Sequence, residues 1–326
     1  MGNGPIFIGG LDRCGKTMLR GMLVSHPNIS IPTVGSNYWT LFYRQYGDLG
    51  IRANFENCLN AMMHYTHVLV LKPNTERIRT EFLQGEPTYA RLFGLFNQHY
   101  AEREGKSRWG DQTGLIEGYA DEIFSAYPGS KMIHVIRDPR DRYEASLALH
   151  PKGQARAGGA TARWIYTTKL ARRNSRMYPD RYMIIHYENM VMDLEATVRQ
   201  VCDFLDEEYT PTMIKLEGAP EFIRKTPGDV KENVFGTPVY KDFIGRYKNK
   251  ISKDEIAFMQ LMVGREMERH GYTLDRIRFS LKEAIQYCFK TIPLNMTLMC
   301  VWLVMNFSQR ELPARFGRKP PKDKLR

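Results

Sequence analysis

Short apolar runs alternate along this chain with longer stretches that have a helical repeat. Apolar runs at residues 5–10, 68–71, 131–136 and 182–186 predict strands, and residues 107–110 predict a short extended piece. Apolar side chains that recur every three or four positions predict helices at residues 15–25, 75–83, 87–104, 115–127, 140–149, 160–178 and 194–205. Strands separated by helices indicate an α/β fold, with a parallel sheet flanked by helices. Such sheets bind ligands at the carboxyl ends of their strands.

The last third of the chain has a different pattern. Residues 217–249 are rich in Gly, Pro and charge and predict a long loop. A helix is predicted after it, with Ser252 as its N-cap and Glu255 in the capping-box position. Residues 292–307 form an apolar run that one proline and two asparagines interrupt, and it is shorter than a membrane span requires. This run predicts a buried helix.

Composition narrows the classes of protein. The 326 residues carry a net charge of +11, which favours anionic partners such as nucleotides, nucleic acids or membrane surfaces. Seven Lys/Arg and two Asp/Glu lie from Arg310 to Arg326. This tail predicts a solvated basic segment, with a membrane-surface role as the alternative. The five cysteines form no CxxC pair, which argues against a zinc or disulfide framework and favours a reducing compartment. We expect a cytoplasmic protein.

A glycine-rich loop follows the first strand and leads directly into a helix. Gly10-Leu11-Asp12-Arg13-Cys14-Gly15-Lys16-Thr17 matches the G-x-x-x-x-G-K-[ST] pattern of phosphate-binding loops. Backbone N–H groups at the start of a helix hold anions, and basic and hydroxyl side chains strengthen such a site. The candidate phosphate-binding residues are Arg13, Cys14, Gly15, Lys16 and Thr17.

Two families share such a loop. It is similar to that of thymidylate kinases, and Asp141-Arg142-Tyr143 resembles a further motif of theirs. It also resembles the 5'-phosphosulfate loop of sulfotransferases that use 3'-phosphoadenosine 5'-phosphosulfate (PAPS). The stretch Ser25-His26-Pro27-Asn28 that follows is typical of those sulfotransferases and not of the kinases.

A second motif favours the sulfotransferases. The strand at residues 131–136 ends in Arg137-Asp138-Pro139-Arg140-Asp141, and Ser146 lies on the next predicted helix. This order resembles the family's element that binds the 3'-phosphate. The resemblance implies that Arg137 makes a bidentate contact with that phosphate and that the Ser146 hydroxyl donates a hydrogen bond to it. The family serine usually lies eight positions after the arginine, where this chain has Ala145, so Ser146 stands one position late.

Three further pieces occur in the family's order. Trp109-Gly110-Asp111-Gln112-Thr113 is similar to its Trp-Gly-Glu-Lys-Thr element. Tyr187-Glu188-Asn189 is similar to its Tyr-Glu-Asp segment, which implies that Tyr187 lies near the adenine. Residues 245–252 resemble the late segment that closes over the nucleotide, and the resemblance implies that Lys241 and Arg246 bind the cofactor.

The chain departs from the family at two positions near the expected chemistry. Gln112 replaces the family's lysine, and Lys16 stands where the family has threonine. We therefore expect Lys16 to supply the missing cation, with unrelated drift at both positions as the alternative. Sulfuryl transfer needs fixed cations and N–H donors at the leaving phosphate, and Arg13 is a second candidate cation.

The base that takes the acceptor's proton is less marked in the sequence. Asp111 and Asp12 are the best-placed carboxylates, and His67 is a weaker third candidate. His134 lies within an apolar strand and is expected to be a core histidine. Aromatic residues at positions 38–46 predict either an acceptor pocket or a buried amphipathic helix.

These patterns predict a P-loop-like sulfotransferase fold with a helical C-terminal extension. Residues 1–275 would form the sulfotransferase domain, and residues 276–326 the extension with its basic tail. The expected enzyme moves a sulfuryl group from PAPS to a hydroxyl of a small or lipid-like acceptor, without a metal or a nucleic-acid partner. Peripheral membrane contact through the extension stays open. The alternatives are a P-loop nucleoside or nucleotide kinase and a catalytically inactive nucleotide-binding module.

Overall fold

The computed structural model describes residues 4–147, 156–219 and 243–311. Within these ranges five strands form one parallel sheet in the order β2-β3-β1-β4-β5. The strands are β1 (Ile6–Gly9), β2 (Ile29–Ser30), β3 (Arg108–Gln112), β4 (Lys131–Ile136) and β5 (Tyr182–His186). The predicted α/β class with a parallel sheet is confirmed.

Helices pack on both faces of this sheet and continue beyond it. They are α1 (Lys16–Val24), α2 (Tyr38–Leu41), α3 (Arg52–Met63), α4 (Thr66–Leu69), α5 (Thr75–Leu83), α6 (Tyr89–Arg103), α7 (Ala120–Ala126), α8 (Pro139–Leu147), α9 (Ala157–Met177), α10 (Tyr187–Met192), α11 (Leu194–Leu205), α12 (Thr212–Lys215), α13 (Lys253–Arg269), α14 (Leu281–Gln286) and α15 (Ile292–Glu311). Two 3₁₀ turns (Ile116–Tyr119 and Arg246–Asn249) and one π-helical turn (Tyr287–Thr291) complete the elements. The predicted capping box of Ser252 and Glu255 begins α13.

Strand β1 directs its side chains alternately into two hydrophobic cores. Ile6 and Ile8 lie in the core that α1 and α11 cover, whereas Phe7 lies in the opposite core with α3 and α6. A strand that is buried on both faces has a continuous apolar sequence, which is why the sequence revealed β1 and β4. Because the strands are parallel, the loop after β1 and the residues after β4 and β5 meet at one edge.

The predicted strand at residues 68–71 is wrong. Helix α4 covers its first half, and Val68 and Leu71 are buried while the two residues between them are exposed. Burial three positions apart is a helical period, which a four-residue apolar run does not distinguish from a strand. The short piece predicted at residues 107–110 is instead the inner strand β3, which pairs with β1 and β2.

The predicted burial of residues 292–307 is also wrong. The stretch Leu281–Phe307 is one helical rod, long and apolar enough by length and composition to cross a membrane, and 6% of its most apolar window is buried. Leu294, Val301, Val304 and Phe307 are all exposed. The apolar character of this helix therefore does not arise from a place in the core.

Candidate functional site

The loop between β1 and α1 has a backbone suited to an anion. Gly10, Arg13 and Gly15 have positive φ angles of 104°, 64° and 97°. A Cβ at Gly10 would overlap the Val135 carbonyl oxygen, and one at Gly15 would lie 2.6 Å from Cδ2 of Tyr187. Both positions therefore require glycine. Helix α1, which begins at the end of this loop, offers its N-terminal N–H groups and dipole to an anion.

The side chains of this loop divide between interior and surface. Arg13 and Thr17 are exposed, whereas Cys14 is buried and burial raises the pKa of its thiol to about 11. Cys14 thus contributes packing rather than a thiolate. Asp12 is exposed, and the buried Arg142 of α8 contacts both its carboxylate and its carbonyl oxygen. Burial raises the pKa of Asp12, but the charge and hydrogen bond of Arg142 together with the charges of Arg163 and Lys16 outweigh burial, so the net pKa is lowered.

Arg137 follows β4 and is buried beside the loop. Its Nη1 donates to the Arg13 carbonyl oxygen at 2.9 Å, and its Nη2 donates to the Phe243 carbonyl oxygen at 2.8 Å. Within the described residues, its buried Nε makes no hydrogen bond. A buried guanidinium that is held by neutral carbonyls favours an anion, because a buried charge without compensation is costly.

Tyr187 begins α10 directly after β5 and touches both the loop and Arg137. The centroid of its ring lies 4.4 Å from Cζ of Arg137, and the ring also contacts the position of Gly15. A cation over an aromatic face is held in orientation by the ring. Sequence resemblance predicted that the phosphate loop, Arg137 and Tyr187 share one site, and the structure brings them together.

The other charged residues of the second motif hold the late segment against α8. Asp141 accepts hydrogen bonds from the backbone N–H groups of Gly245 at 2.6 Å and Tyr247 at 2.9 Å. Arg140 is buried and donates to Asp138 at 2.6 Å. The motif therefore anchors the late segment to α8 and is also a candidate phosphate site.

Lys16 and the end of β3 approach each other. Lys16 Nζ donates to the Gly10 carbonyl oxygen at 2.6 Å, and a Cβ at Gly114 would lie 3.3 Å from the same Nζ atom. Burial lowers the pKa of Lys16. Gln112 is buried, and its Nε2 donates to the Thr33 carbonyl oxygen at 2.9 Å. The loop thus places a cation at the end of β3, while Gln112 is engaged by a backbone carbonyl.

Asp111, one of the two predicted bases, is fully buried. Its Oδ1 accepts from the Ser36 N–H at 3.1 Å, and its Oδ2 accepts from Thr113 Oγ1 at 2.7 Å. Burial raises the pKa of this carboxyl. Asp111 therefore ties the loop at Ser36 to β3, and the exposed Asp12 is the more accessible carboxylate.

Comparison with known proteins agrees with this geometry. A family model described as the sulfotransferase family matches residues 5–211, more than half of the chain. The chain belongs to the sulfotransferase family. A search of curated proteins finds no match. The kinase alternative is not favoured, and the chain is a sulfotransferase enzyme.

Solved structures similar to this sulfotransferase include two sulfotransferase domains and a mouse enzyme. The sulfotransferase domain from the Synechococcus PCC 7002 olefin synthase is 19% identical, with a TM-score of 0.57, and the match covers 84% of this chain and 96% of that one. The sulfotransferase domain from the curacin biosynthetic pathway is 17% identical (TM-score 0.48, covering 83% and 99%). Mouse sulfotransferase SULT7A1 complexed with PAP is 11% identical (TM-score 0.45, covering 83% and 86%). At this identity the first of them shows the fold.

A cavity of about 460 Å³ opens beside the phosphate loop of this sulfotransferase. The loop, the end of β3, α9 and the C-terminal helix α15 all contribute to its wall. Its lining includes Asp12, Lys16, Asn37, Arg163, Trp302 and Asn306. The candidate cation and the accessible carboxylate therefore line the same cavity.

Ser146, the predicted hydroxyl ligand of the 3'-phosphate, turns its hydroxyl toward its own helix. It is buried, and its hydroxyl donates to the Tyr143 carbonyl oxygen at 2.7 Å within its own helix. Ala145, where the family spacing would place the serine, is half-buried on the same helix. The one-residue offset rotates the hydroxyl by about 100° around α8, which directs it into the core.

The late segment contributes one predicted nucleotide ligand that the structure describes. Arg246 is partly exposed, and its Nε lies 3.1 Å from Oε1 of Glu144 on α8. The side chain thus belongs to the surface where the late segment meets α8. Lys241, the other predicted ligand from this part of the chain, lies outside the described residues.

Glu117 is a buried acidic residue that sequence reasoning missed. Its Oε2 accepts from the Gly10 N–H at 3.3 Å, and its negative charge raises the pKa of Lys16 against the effect of burial. The residue therefore supports the loop and its lysine from inside. The sequence shows only that an acidic residue lies within the apolar stretch 115–120. That observation does not reveal that Glu117 contacts the phosphate loop.

The histidines are placed as structural residues. His134 contacts the Tyr182 hydroxyl at 3.0 Å, and burial lowers the pKa of its imidazole to about 3, so the predicted core histidine is confirmed. His67, the weaker base candidate, has its Nδ1 at 2.8 Å from the Gly35 carbonyl oxygen and 3.2 Å from Nδ2 of Asn37. His67 therefore supports the loop that brings Asn37 to the cavity.

The aromatic residues at positions 38–46 divide between the core and a surface cleft, and the predicted acceptor pocket stays a prediction. Tyr38 and Phe42 are buried in the core. Trp39 and Tyr43 line a separate cleft of about 1140 Å³ together with Tyr89. This cleft shares no lining residue with the Lys16 cavity.

Proposed function

We propose that this sulfotransferase takes its sulfuryl group from PAPS and passes it to a hydroxyl of a small or lipid-like acceptor without a metal. Peripheral membrane contact through the C-terminal extension is part of this proposal. A cytoplasmic location, the absence of a nucleic-acid partner and the division at residues 275/276 stay predictions. Within the described ranges, no group of three or more His, Cys, Asp or Glu side chains is placed to hold a metal.

The observation that carries the proposal is the environment of Arg137. This buried cation is bound to two neutral carbonyls, is stacked on Tyr187, and stands beside a loop built for a second anion. PAPS carries two separate phosphate groups and an aromatic base. Arg137 fits the 3'-phosphate, the N-terminus of α1 fits the 5'-phosphosulfate, and Tyr187 supplies an aromatic surface next to both.

The residues around the cavity suit an in-line transfer. PAPS supplies the activated sulfuryl group, whose bond to phosphate oxygen breaks as a bond to the acceptor oxygen forms. Lys16 and the N–H groups at the start of α1 would stabilise the negative charge that grows on the leaving phosphate. Asp12, whose pKa is lowered, is ionised at neutral pH and would take the proton from the acceptor hydroxyl.

An assay for release of PAP, the desulfated donor, tests this function. The protein is incubated with PAPS, a chelator and a panel of alcohols and phenols, and we expect turnover with at least one acceptor. Arg137→Ala serves as the control variant, with turnover strongly reduced. Phosphorylation from ATP that requires magnesium would instead support the kinase. Tight PAP binding with no turnover on any acceptor would support the inactive module.

A further inference from the structure

We propose that α15 is both one wall of the acceptor cavity and a membrane-docking helix, so that the acceptor is a bilayer lipid whose hydroxyl-bearing head group enters the cavity from the membrane surface. This inference rests on the proposed function, because it names the acceptor class of the same site. It does not require the helix to cross the membrane.

The inner face of α15 is fastened to the catalytic domain. Asn295 is buried, and its Oδ1 accepts from the Gly158 N–H of α9 at 2.8 Å. A Cβ at Gly158 would overlap the Asn295 backbone, so the two helices touch closely there. Two turns further on, the ring of Trp302 packs edge-on against Tyr166 at 5.6 Å between centroids. A helix held sideways along α9 lies on the domain rather than standing free as a membrane span.

The same inner face of α15 extends to the candidate active site. Trp302, Met305 and Asn306 line the cavity that contains Lys16 and Asp12. One side of the acceptor space is therefore built from a helix whose other side faces outward. A substrate that enters along this helix would meet the candidate cation and base directly.

The outer face of the helical rod Leu281–Phe307 is an unbroken apolar stripe. Its members recur every three or four positions and are exposed: Leu281, Ile285, Phe289, Pro293, Met296, Cys300, Val304 and Phe307. At 1.5 Å per residue the 27-residue rod is about 40 Å long. Residues 292–307 contain no charged residue. Exposed apolar surface of this extent marks an interaction site.

Charge at both ends of the stripe points to a lipid surface rather than to a second copy. Arg276, Arg278, Lys282 and Lys290 lie at or near its start and outnumber Asp275 and Glu283 there, and the sequence from Arg310 to Arg326 carries seven basic and two acidic residues after it. An apolar face flanked by basic residues matches the apolar interior and anionic head groups of a bilayer. A symmetric pair of such helices would bring like charges together.

This arrangement couples membrane binding to the substrate. A helix lying in the interface buries its apolar face at the boundary between head groups and acyl chains. The inner face of α15 and the cavity would then lie at the level of the head groups, which is also the level of a lipid's hydroxyl. The hydroxyl could therefore enter the cavity while the acyl chains of the lipid remain in the bilayer. The acceptor class is therefore an amphiphile with a hydroxyl in its head group.

Vesicle flotation with matched variants tests the docking. The double variant Phe289→Glu with Val304→Glu places charges at stripe positions that are 80% and 67% exposed. Leu83→Glu with Leu261→Glu is the control, because these residues are 59% and 61% exposed on α5 and α13. On phosphatidylcholine vesicles containing phosphatidylglycerol, we expect the stripe variant to partition roughly tenfold to a hundredfold less than wild type. The control should bind like wild type, and both should keep the wild-type unfolding temperature.

Three outcomes would overturn the docking. Wild-type protein that fails to float with these vesicles contradicts it, as does equal loss of binding in the control. Sedimentation velocity distinguishes the remaining case, in which the stripe variant turns a dimer into a monomer and a second copy covers the stripe.

Labelled donor tests the acceptor class. With PAPS carrying radioactive sulfur, and vesicles that contain phosphatidylglycerol, a glycolipid or a sterol, we expect label in a lipid fraction and loss of that label in the stripe variant. Transfer to soluble alcohols should stay within about twofold of wild type in the stripe variant, since catalysis itself is intact. Label in soluble alcohols but in none of these lipids overturns the acceptor class. Vesicle binding with no transfer to any acceptor would instead refute the proposed sulfuryl transfer and leave the docking standing.

Discussion

The guanidinium of Arg137 stacks on the ring of Tyr187, with 4.4 Å between Cζ and the ring centroid, and both residues contact the phosphate loop. Two residues that are separated by fifty positions in the sequence thereby share one surface at the edge of the sheet. The parallel order of β1, β4 and β5 produces this meeting, because each residue or loop follows the carboxyl end of its strand.

Removal of Arg137 should distinguish the contributions of the two phosphate groups to nucleotide binding. Arg137→Ala is expected to weaken PAP binding by roughly 1.5–3 kcal/mol or more, because a bidentate charged contact is lost. Adenosine 5'-phosphosulfate lacks the 3'-phosphate and should lose much less. Calorimetric titration of both nucleotides measures the difference, and thermal unfolding checks that the fold remains. Equal losses for the two nucleotides would reject the assignment.

Tyr187 should act through its ring and not through its hydroxyl. Tyr187→Phe keeps the ring over Arg137 and beside Gly15, so the KM for PAPS should stay within about twofold of wild type. Tyr187→Ala removes the stack and should raise that KM roughly tenfold, as loss of a partly desolvated cation–π contact and of aromatic surface does. A large effect of Tyr187→Phe would mean that the hydroxyl contacts the nucleotide.

The two candidate bases should respond differently to amide substitution. Asp12→Asn removes the proton acceptor, so kcat should fall by roughly 10²–10⁴, and it also removes the charge that pairs with the buried Arg142, so the unfolding temperature should fall as well. Asp111→Asn should cost about 1–3 kcal/mol of stability, because a buried acceptor pair is broken. Steady-state kinetics and urea unfolding on both variants separate the roles. A stable but inactive Asp111→Asn enzyme would make Asp111 the base.

The buried His134 should make the protein less stable in acid. Its pKa is about 3 in the folded protein against 6.5 for a free imidazole, because burial disfavours the charged ring. Between these values the unfolded chain binds the additional proton, so stability falls as pH decreases from 6.5 toward 3, by about 1.4 kcal/mol per pH unit. Urea unfolding at several pH values should show a shallower slope for His134→Gln. His64→Gln, the same substitution at an exposed histidine, is measured alongside as the matched control.

Sequence reasoning succeeded where a local pattern decides the structure. The apolar run of β1 and the capping box at Ser252 are such cases, since each depends on neighbouring residues alone. It failed where distant parts of the chain decide. Residues 68–71 form a helical turn because Val68 and Leu71 pack into the core, and the role of Glu117 depends on Gly10 across the fold. The exposure of α15 depends on which helices pack against it, and a count of its apolar residues does not reveal them.

The pair Lys16 and Gln112 allows the sharpest test of the proposed chemistry. Lys16 Nζ stands near Gly114 at the end of β3, whereas the amide of Gln112 donates to the Thr33 carbonyl. If Lys16 replaces the family's missing lysine, its charge matters most as the leaving phosphate becomes anionic. Lys16→Thr should then lower kcat by a factor on the order of 10²–10³, with a smaller change in the affinity for PAP.

Adding Gln112→Lys to Lys16→Thr should recover part of that loss, because a cation returns from the opposite wall of the site. Gln112→Lys alone should change kcat little, so the two substitutions are non-additive, as neighbours that share one task are. Single-turnover kinetics on the wild type and the three variants measures the coupling at the chemical step. A double variant no better than Lys16→Thr would show that the two positions do not compensate. A nearly unchanged kcat in Lys16→Thr would limit Lys16 to nucleotide affinity and leave Arg13 as the catalytic cation.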